Sequence, residues 1–352
     1  MQSVITTSHE VHFDAVAKEA LNQSIKANTY SKIFVLVDQN TNTYCLPLFH
    51  KMFDGEVDAI ITIAPGEPNK HIETCLKVWE ALSDLGGDRK SLLINLGGGV
   101  VTDLGGFVAC TFKRGIDFIN IPTTLLAMVD ASVGGKNGVD LGPLKNQIGV
   151  IQQPKMVLVL PSFLKTLPER EIISGFAEML KHGLIVDREY WNTLRSNGVS
   201  KDVQSILKSV NIKSDIVTED PRENGVRKKL NFGHTLGHAV ESFFLESNNR
   251  DTLLHGEAIA IGMILEAYLA HKLTGLSKLD LDEIKETFLR FYPKVDISTK
   301  EISKIKSLLI HDKKNSHGNI NFVLLNEIGN AVVDIKVPDE LIDEAFTYYK
   351  LP

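Results

Sequence analysis

Residues 92–107 read LLINLGGGVVTDLGGF, an apolar strand that ends in three consecutive glycines and leads into a helical stretch. Without side chains, Gly97, Gly98 and Gly99 let backbone amides approach a pyrophosphate, and the N-terminus of the following helix favours its negative charge. The order is not GxGxxG, so a merely tight strand-to-helix turn remains the alternative. Asp103 is either an exposed helix residue or a polar anchor for a bound nucleotide.

The runs around this stretch extend the same pattern. From about residue 31 to residue 160, short β-branched runs alternate with helical segments: KIFVLV, DAIITIAP, SLLINLG, DFINIP and KMVLVLP. Strands separated by helices indicate a largely parallel sheet whose ligands lie beyond the carboxyl ends of its strands. After Pro161, long segments with helical period follow. We therefore predict an α/β protein with a Rossmann-like domain over residues 1–160 and a mainly helical domain over residues 161–352.

Composition narrows the class of protein. A formal net charge of -6 creates no field that would gather nucleic acid or anionic lipid, although charge alone excludes neither. We expect neither nucleic acid nor a membrane as a partner. Cys45, Cys75 and Cys110 are odd in number and form no CxxC pair, which favours buried thiols. The start resembles no secretory signal. The apolar stretch 258–270, interrupted by Glu266, is too short to span a bilayer and is therefore a candidate for a buried helix. We expect a cytoplasmic protein.

Polar residues are dense in residues 119–149, INIPTTLLAMVDASVGGKNGVDLGPLKNQIG, just beyond a predicted strand. Lys136, Lys145 and Asn146 add flexible polar groups among turn-forming residues, and phosphate or polyol binding explains this mixture better than plain scaffolding. Upstream, Asp38 closes the strand KIFVLVD. Its carboxylate could accept hydrogen bonds from a ribose diol and favour NAD over NADP, or it could simply form the turn before Gln39.

The second domain contains candidate metal ligands. Glu178 and Lys181 lie in SGFAEMLKHG, His234 and His238 in NFGHTLGHAVE, and His255 in LLHGEA. One glutamate and two histidines with a vacant position are typical of catalytic zinc, because they leave the ion its Lewis acidity. Spacing alone pairs His234 with His238, since residues at i and i+4 share a helix face.

Several motifs together resemble one family. GEPNK, NLGGGVVTDLGGF, IPTTLLAMVDASVGGKNGVD, LKNQIG, GFAEMLKHG, IKSDIVTEDPRENGVRKKLNFGHTLGHAVE, HGEAIAIGM and DKK closely resemble the 3-dehydroquinate synthase family, in order from about residue 38 to residue 325. The resemblance implies a shikimate-pathway lyase, a homodimer that uses NAD and zinc or cobalt. Its substrate would be 3-deoxy-D-arabino-heptulosonate 7-phosphate, converted to 3-dehydroquinate by transient oxidation, phosphate elimination, re-reduction and intramolecular aldol closure.

The resemblance also implies roles for individual residues. It assigns NAD binding to Asp38, Glu67, Lys70, Gly98, Gly99, Asp103, Thr123, Thr124, Lys136 and Lys145. It assigns substrate binding to Arg114, Asp130, Lys136, Asn146, Lys181, Lys213, Arg227, Asn231, His238 and Lys314. It assigns catalysis to Lys136, Lys181, Glu223 and His238, and the metal to Glu178, His234 and His255. His238 would thus face the substrate phosphate, against the spacing argument.

The resemblance implies further residue roles, and the sequence also leaves alternative functions open. On charge alone, Lys213 and Arg227 are typical of a solvated surface. The resemblance implies instead that they bind the substrate carboxylate. It also implies that Arg114 reaches the partner subunit's site. Ala131 and Asn137 depart from the pattern VDSSVGGKTG that the family commonly shows. The alternatives are another sugar phosphate cyclase without a substrate carboxylate, a metal-dependent polyol dehydrogenase, and a catalytically silent nucleotide-binding regulator.

Overall fold

The computed structural model describes residues 3–6, 8–142, 144–247, 249–309 and 320–351. The strands before residue 160 are β1 Ser3–Ile5, β2 Glu10–Phe13, β3 Ile33–Asp38, β4 Ala59–Ile63, β5 Leu92–Gly97, β6 Asp117–Pro122, β7 Lys136–Leu141, β8 Leu144–Ile151 and β9 Val157–Val159. The helices of this part are α1 Asp14–Ala27, α2 Gln39–Tyr44, α3 Leu46–Met52, α4 Ile72–Asp84 and α5 Gly99–Thr111.

Most of these strands form one sheet in the order β1-β2-β9-β6-β5-β3-β4. Its pairings are parallel except that between β1 and β2. Every residue of β5 is buried, as expected for a parallel strand covered on both faces. The five predicted runs correspond to β3, β4, β5, β6 and β9, so the predicted α/β class is confirmed. The antiparallel hairpin of β7 and β8 was not predicted from the sequence.

The later part of the chain is mainly helical, as predicted. Its helices are α6 Glu169–Val186, α7 Arg188–Asn197, α8 Val203–Glu219, α9 His234–Glu246, α10 His255–Leu273, α11 Lys278–Phe291, α12 Thr299–Leu308 and α13 Asp339–Lys350. The apolar stretch 258–270 lies within buried helix α10. A hairpin of β10 Asn321–Glu327 and β11 Asn330–Lys336, which periodicity did not indicate, interrupts the helices. Across the described ranges, no helix is both long and apolar enough to cross a membrane.

The chain folds into two compact units. Unit 1 comprises Met1–Ile172 and Lys201–Thr218, and unit 2 comprises Ile173–Ser200 and Glu219–Pro352. Helix α8 therefore groups with the sheet rather than with the other late helices, whereas the sequence suggested one boundary between residues 160 and 161. The reason lies in its contacts within unit 1, where the Ser214 hydroxyl lies 3.0 Å from Nε2 of His9. Periodicity shows that a helix has a buried face but not which unit buries it.

Candidate active site

The glycine-rich turn joins strand β5 to helix α5 in unit 1. Gly98 is the N-cap of α5 and has no side chain with which to cap it. A Cβ atom at Gly98 would lie 2.9 Å from Cγ2 of Thr124, and the amide of Thr123 donates to the carbonyl oxygen of Gly97 at 2.9 Å. Gly98, Thr123 and Thr124, all predicted to bind NAD, are thus adjacent at the carboxyl ends of β5 and β6, beside a helix N-terminus that can accept an anion.

Two ion pairs join other predicted NAD-binding residues of unit 1. Nζ of Lys70 lies 2.7 Å from Oδ2 of Asp103, and Nζ of Lys145 lies 2.9 Å from Oε1 of Glu67. Burial opposes the charged form of Lys70, but Asp103, Glu67 and Asp140 raise its pKa above the ordinary value, so the ammonium group stays protonated. The resemblance assigned both Lys70 and Asp103 to NAD binding, and in the structure these two side chains are paired with each other.

Asp38 lies at the end of β3, as the sequence predicted. It is also the N-cap of α2, because its Oδ1 accepts a hydrogen bond from the amide of Thr41 at 2.8 Å. The turn-forming interpretation therefore describes what Asp38 does locally. This interaction uses one carboxylate oxygen, and the ribose-binding role stays a prediction for the other.

Other predicted substrate residues of unit 1 are partly paired and partly exposed. Nζ of Lys213 donates to Oδ1 of Asp130 at 2.6 Å and to its carbonyl oxygen at 2.7 Å. Lys136 and Asn146 are exposed on the hairpin of β7 and β8, and Arg114 is exposed in a turn before β6. Lys314 lies outside the described residues. The substrate roles of these side chains stay predictions.

Asn137, one of the two departures from the family pattern, has a structural role. Its Nδ2 donates to the carbonyl oxygens of Gly135 at 2.9 Å and Gln152 at 2.8 Å, which ties the two strands of the hairpin together. A Cβ atom at Gly106 of α5 would lie only 1.9 Å from Oδ1 of Asn137. The asparagine therefore fits where the helix lacks a side chain. Ala131 ends a short π-helical turn after β6, and its Cβ lies 3.5 Å from where a Cβ at Gly99 would be.

Unit 2 brings the three predicted metal ligands together from three helices. Glu178 lies on α6, His234 is the first residue of α9, and His255 is the first residue of α10. Nε2 of His234 lies 3.5 Å from Oε1 of Glu178, and Nε2 of His255 lies 3.7 Å from the same oxygen. Ligand bonds of about 2.0–2.2 Å at a tetrahedral ion place neighbouring donor atoms about 3.3–3.6 Å apart. The 3.5 Å separation lies within this range and the 3.7 Å separation lies just above it, so both histidines stand at nearly the distance from Glu178 that a shared zinc-sized ion requires.

The other ring nitrogens of both histidines have partners. Nδ1 of His234 lies 3.1 Å from the carbonyl oxygen of Phe232, and Nδ1 of His255 lies 3.2 Å from Oε2 of Glu241. Because these oxygen atoms accept, Nδ1 carries a proton in both rings, and Nε2 is the nitrogen that would face a metal ion. Both imidazoles are thus oriented as metal ligands.

His238 is the competing candidate ligand. Donor atoms of His234, His238 and His255 all lie within 4.8 Å of one another. The ring centroids of His238 and His234 are 5.1 Å apart. Proximity alone therefore allows His238 as a third metal ligand, as the helical spacing did. Glu178 is preferred because Nε2 of His234 and Nε2 of His255 both approach the same oxygen of Glu178.

Charges around this group favour a cation. Glu178 is fully buried, and its Oε2 forms an ion pair with Lys181 one turn later. Burial disfavours protonated His255, but the charge of Glu241 and hydrogen bonding to Glu178 and Glu241 raise the pKa of His255 to about 10. The same negative charge favours a metal ion, which would compete with that proton.

The remaining predicted residues of unit 2 lie before α9. Arg227 is buried, and its Nη1 donates to the carbonyl oxygen of Pro221 at 2.7 Å. Oε1 of Glu223 accepts a hydrogen bond from Nδ2 of Asn231 at 2.7 Å, which links a predicted catalytic residue to a predicted substrate-binding residue. The catalytic and binding roles of these side chains stay predictions.

Sequence analysis missed the carboxylates around the metal ligands. Glu241 contacts His255, and Glu266 accepts hydrogen bonds at the start of α9. An acidic residue inside an apolar helical run is costly to bury without a partner, so Glu266 within residues 258–270 was a signal of a specific buried contact.

Two models of the same protein family together match most of the chain. The family model described as 3-dehydroquinate synthase N-terminal matches residues 60–174, and the one described as 3-dehydroquinate synthase C-terminal matches residues 175–315. The chain is 41% identical over 339 residues to the 3-dehydroquinate synthase of Parabacteroides distasonis, covering 95% of each chain. It is 38% identical over 344 residues to that of a Nitratiruptor species, covering 96% of this chain and 94% of the relative.

Solved structures show the same architecture. The 2-epi-5-epi-valiolone synthase of Streptomyces hygroscopicus, with NAD+ and Zn2+ bound, has a TM-score of 0.84 and 26% identity, covering 99% of this chain and 98% of that one. A 2-deoxy-scyllo-inosose synthase with carbaglucose-6-phosphate, NAD+ and Co2+ has a TM-score of 0.82 and 25% identity, covering 97% and 96%. A probable glycerol dehydrogenase from Sinorhizobium meliloti, 13% identical over 96% and 94% with a TM-score of 0.63, shares the fold alone.

Proposed function

The chain belongs to the 3-dehydroquinate synthase family, and from that premise we propose how its residues carry out the reaction of that family. The chain is a 3-dehydroquinate synthase in function, a lyase of the shikimate pathway that uses NAD and a divalent metal ion, zinc or cobalt. Its substrate is 3-deoxy-D-arabino-heptulosonate 7-phosphate, and its products are 3-dehydroquinate and phosphate.

The observation that carries the proposal for the metal is the shared approach of two imidazoles to one carboxylate oxygen. Nε2 of His234 and Nε2 of His255 approach Oε1 of Glu178 at 3.5 and 3.7 Å. These three residues would hold the ion, and Lys181 would keep the carboxylate of Glu178 in place through their ion pair. When bound, the ion supplies Lewis acidity to a substrate alcohol. His238, which is not needed as a ligand, is left to hold or move a proton at the substrate phosphate.

In unit 1, the residues around the glycine turn would hold the dinucleotide. Backbone amides at Gly98 and Gly99 would donate to the pyrophosphate, since no side chain blocks their approach. Protonated Lys70 and the Thr124 hydroxyl would orient the rest of the cofactor, which supplies a hydride acceptor when bound. Asp38 would accept hydrogen bonds from the adenosine ribose.

Cationic and amide side chains would hold the two anionic ends of the substrate. Lys213 and Arg227 would bind the carboxylate, and Lys136, Asn146 and Asn231 would bind the phosphate. In this role Lys213 exchanges its pairing with Asp130 for the substrate, which frees the Asp130 carboxylate to accept from a substrate hydroxyl. Glu223, whose Oε1 accepts a hydrogen bond from Asn231, would join the proton network of the site. We also propose a cytoplasmic homodimer in which exposed Arg114 reaches the site of the partner subunit.

Turnover of three substrates tests the proposal. Purified enzyme with NAD and zinc is incubated with the heptulosonate phosphate, glucose 6-phosphate or sedoheptulose 7-phosphate, and phosphate release and reduced-nicotinamide absorbance are followed. We expect phosphate and 3-dehydroquinate from the first compound alone, without net NADH. Turnover of either other sugar phosphate would instead support another cyclase, and stoichiometric NADH would support a polyol dehydrogenase.

A further inference from the structure

Helix α9 begins at the proposed metal ligand His234 but lacks a capping side chain. Its N-cap, Gly233, has a left-handed backbone with φ of 79°. The first amides of a helix have no partner within the helix, and a side-chain oxygen of the N-cap residue normally accepts from one of them. A glycine offers no such oxygen. The start of α9 therefore needs an acceptor from elsewhere in the chain.

Glu266 of α10 supplies this acceptor. Its Oε2 accepts from the amide of Gly233 at 2.6 Å, and its Oε1 accepts from the amide of Leu236 at 3.0 Å. The side chain is fully buried, with 0% exposure. Both oxygens act as acceptors, as in an ionised carboxylate, and the positive end of the helix macrodipole favours that charge.

His234 lies between the two residues whose amides Glu266 accepts from. The carboxylate thereby fixes the backbone on both sides of this imidazole, while the carbonyl oxygen of Phe232 fixes its Nδ1. The helices are also in close contact here, because a Cβ atom at Gly262 of α10 would lie 2.0 Å from the carbonyl oxygen of Gly233. A shift of α10 would therefore move the start of α9 and the ring of His234.

The arrangement is reciprocal. Oε2 of Glu241 on α9 lies 3.2 Å from Nδ1 of His255, which is the first residue of α10. Each helix thus contributes a carboxylate to the N-terminal end of the other, and each of those ends carries one proposed ligand. Glu241 acts on the imidazole itself, whereas Glu266 acts through the backbone.

We propose that Glu266 is a positioning residue for the metal centre, which sets the place of His234 by holding the backbone amides of Gly233 and Leu236. This inference rests on the proposed metal site, and it assigns a role to a residue that touches neither metal nor substrate. A residue that merely stabilised the fold would affect thermal stability without affecting the ligand geometry.

The test compares E266Q with a matched control, E301Q. Glu301 also caps a helix, because its Oε2 accepts from the amide of Ser298 at 2.7 Å at the start of α12, but it contacts no proposed ligand. Zinc affinity of the full-length protein is measured by chelator competition, and the visible absorption of the Co2+ form reports ligand geometry independently of turnover. Melting temperatures are recorded for both variants.

We expect E266Q to bind zinc about 10–100-fold more weakly, as is usual for outer-sphere partners of metal ligands, and to shift the Co2+ bands. E301Q should melt earlier but keep wild-type affinity and bands. Wild-type affinity and bands in E266Q, or equal weakening in both variants, would overturn the inference. If E266Q does not fold, E266D retains the charge with a shorter reach, and a wild-type Co2+ spectrum in that variant would equally reject the role.

His234→Ala distinguishes this inference from the proposed function. It should lose the ion altogether. Full retention of zinc in that variant would remove the metal site on which both ideas depend, whereas loss in His234→Ala with no effect of E266Q would reject only the positioning role.

Discussion

The glycine turn of unit 1 and the histidine cluster of unit 2 are built in different ways. At the turn, Gly97, Gly98 and Gly99 are adjacent in sequence and would act through their backbone. In the cluster, the proposed ligands come from three helices and act through side chains, with a further layer of carboxylates behind them. A local motif can therefore reveal the first kind of site, while the second exists only once the helices have packed.

This difference predicts that substitutions can disrupt the metal site of unit 2 without disrupting nucleotide binding by unit 1, and the reverse. The largest effect is expected for His255→Ala, which should lose tightly bound metal and lower turnover by at least about a thousandfold, because Lewis-acid stabilisation is worth several kcal/mol. NAD binding should persist, since the glycine turn lies in the other unit. Metal analysis and equilibrium dialysis with NAD check both expectations.

His238→Ala is the matched control for this experiment. It should retain the ion while turnover falls, because Glu178 rather than His238 completes the proposed ligand set. Loss of metal in His238→Ala together with retention in His255→Ala would reverse the assignment and restore the prediction made from helical spacing.

In unit 1, Lys70→Met should weaken NAD binding without affecting the metal site of unit 2. It leaves the partly buried carboxylate of Asp103 without its partner at 2.7 Å, so we expect a loss of up to about 3 kcal/mol in the free energy of unfolding and weaker NAD binding. Metal content should stay at the wild-type level. Denaturant unfolding and NAD titration measure the effects. Lys32→Met, which breaks a partly exposed pair with Asp58, should cost under about 1 kcal/mol.

Arg227→Ala tests whether a residue of unit 2 serves the substrate rather than the cofactor. Removing a charged hydrogen-bond donor from the substrate carboxylate should raise KM about 10–100-fold, with little change in the Kd of NAD. Steady-state kinetics and NAD titration provide the comparison. Equal losses for both molecules would contradict the carboxylate role, and Lys228→Ala, which breaks a surface pair with Asp334, should change neither.

The smallest effect is expected for Asn137→Thr, which restores the residue common in the family. Threonine cannot donate to the carbonyl oxygens of both Gly135 and Gln152, so the free energy of unfolding should fall by about 1–2 kcal/mol. NAD affinity should remain near the wild-type value. Thermal and denaturant unfolding measure the change, and an unaltered stability would show that the hairpin does not depend on these hydrogen bonds.

Local sequence determined much of this protein. The β-branched runs predicted five strands of the sheet, the glycine turn predicted the β5 to α5 connection, and the apolar stretch 258–270 predicted a buried helix. These features depend on residues that are neighbours in the chain, where periodicity and turn chemistry act directly. The family resemblance then indicated Glu178 as a ligand, which spacing alone did not.

Tertiary structure decided the rest. Only packing brought Nε2 of His234 and His255 to the same oxygen of Glu178, assigned helix α8 to the sheet-bearing unit, and paired Lys213 with Asp130. It also gave Glu266, which looked like a mere interruption of an apolar run, a place at the start of another helix. Such contacts join residues distant in the chain, and their geometry depends on close approaches of backbone and side chain that no local pattern encodes.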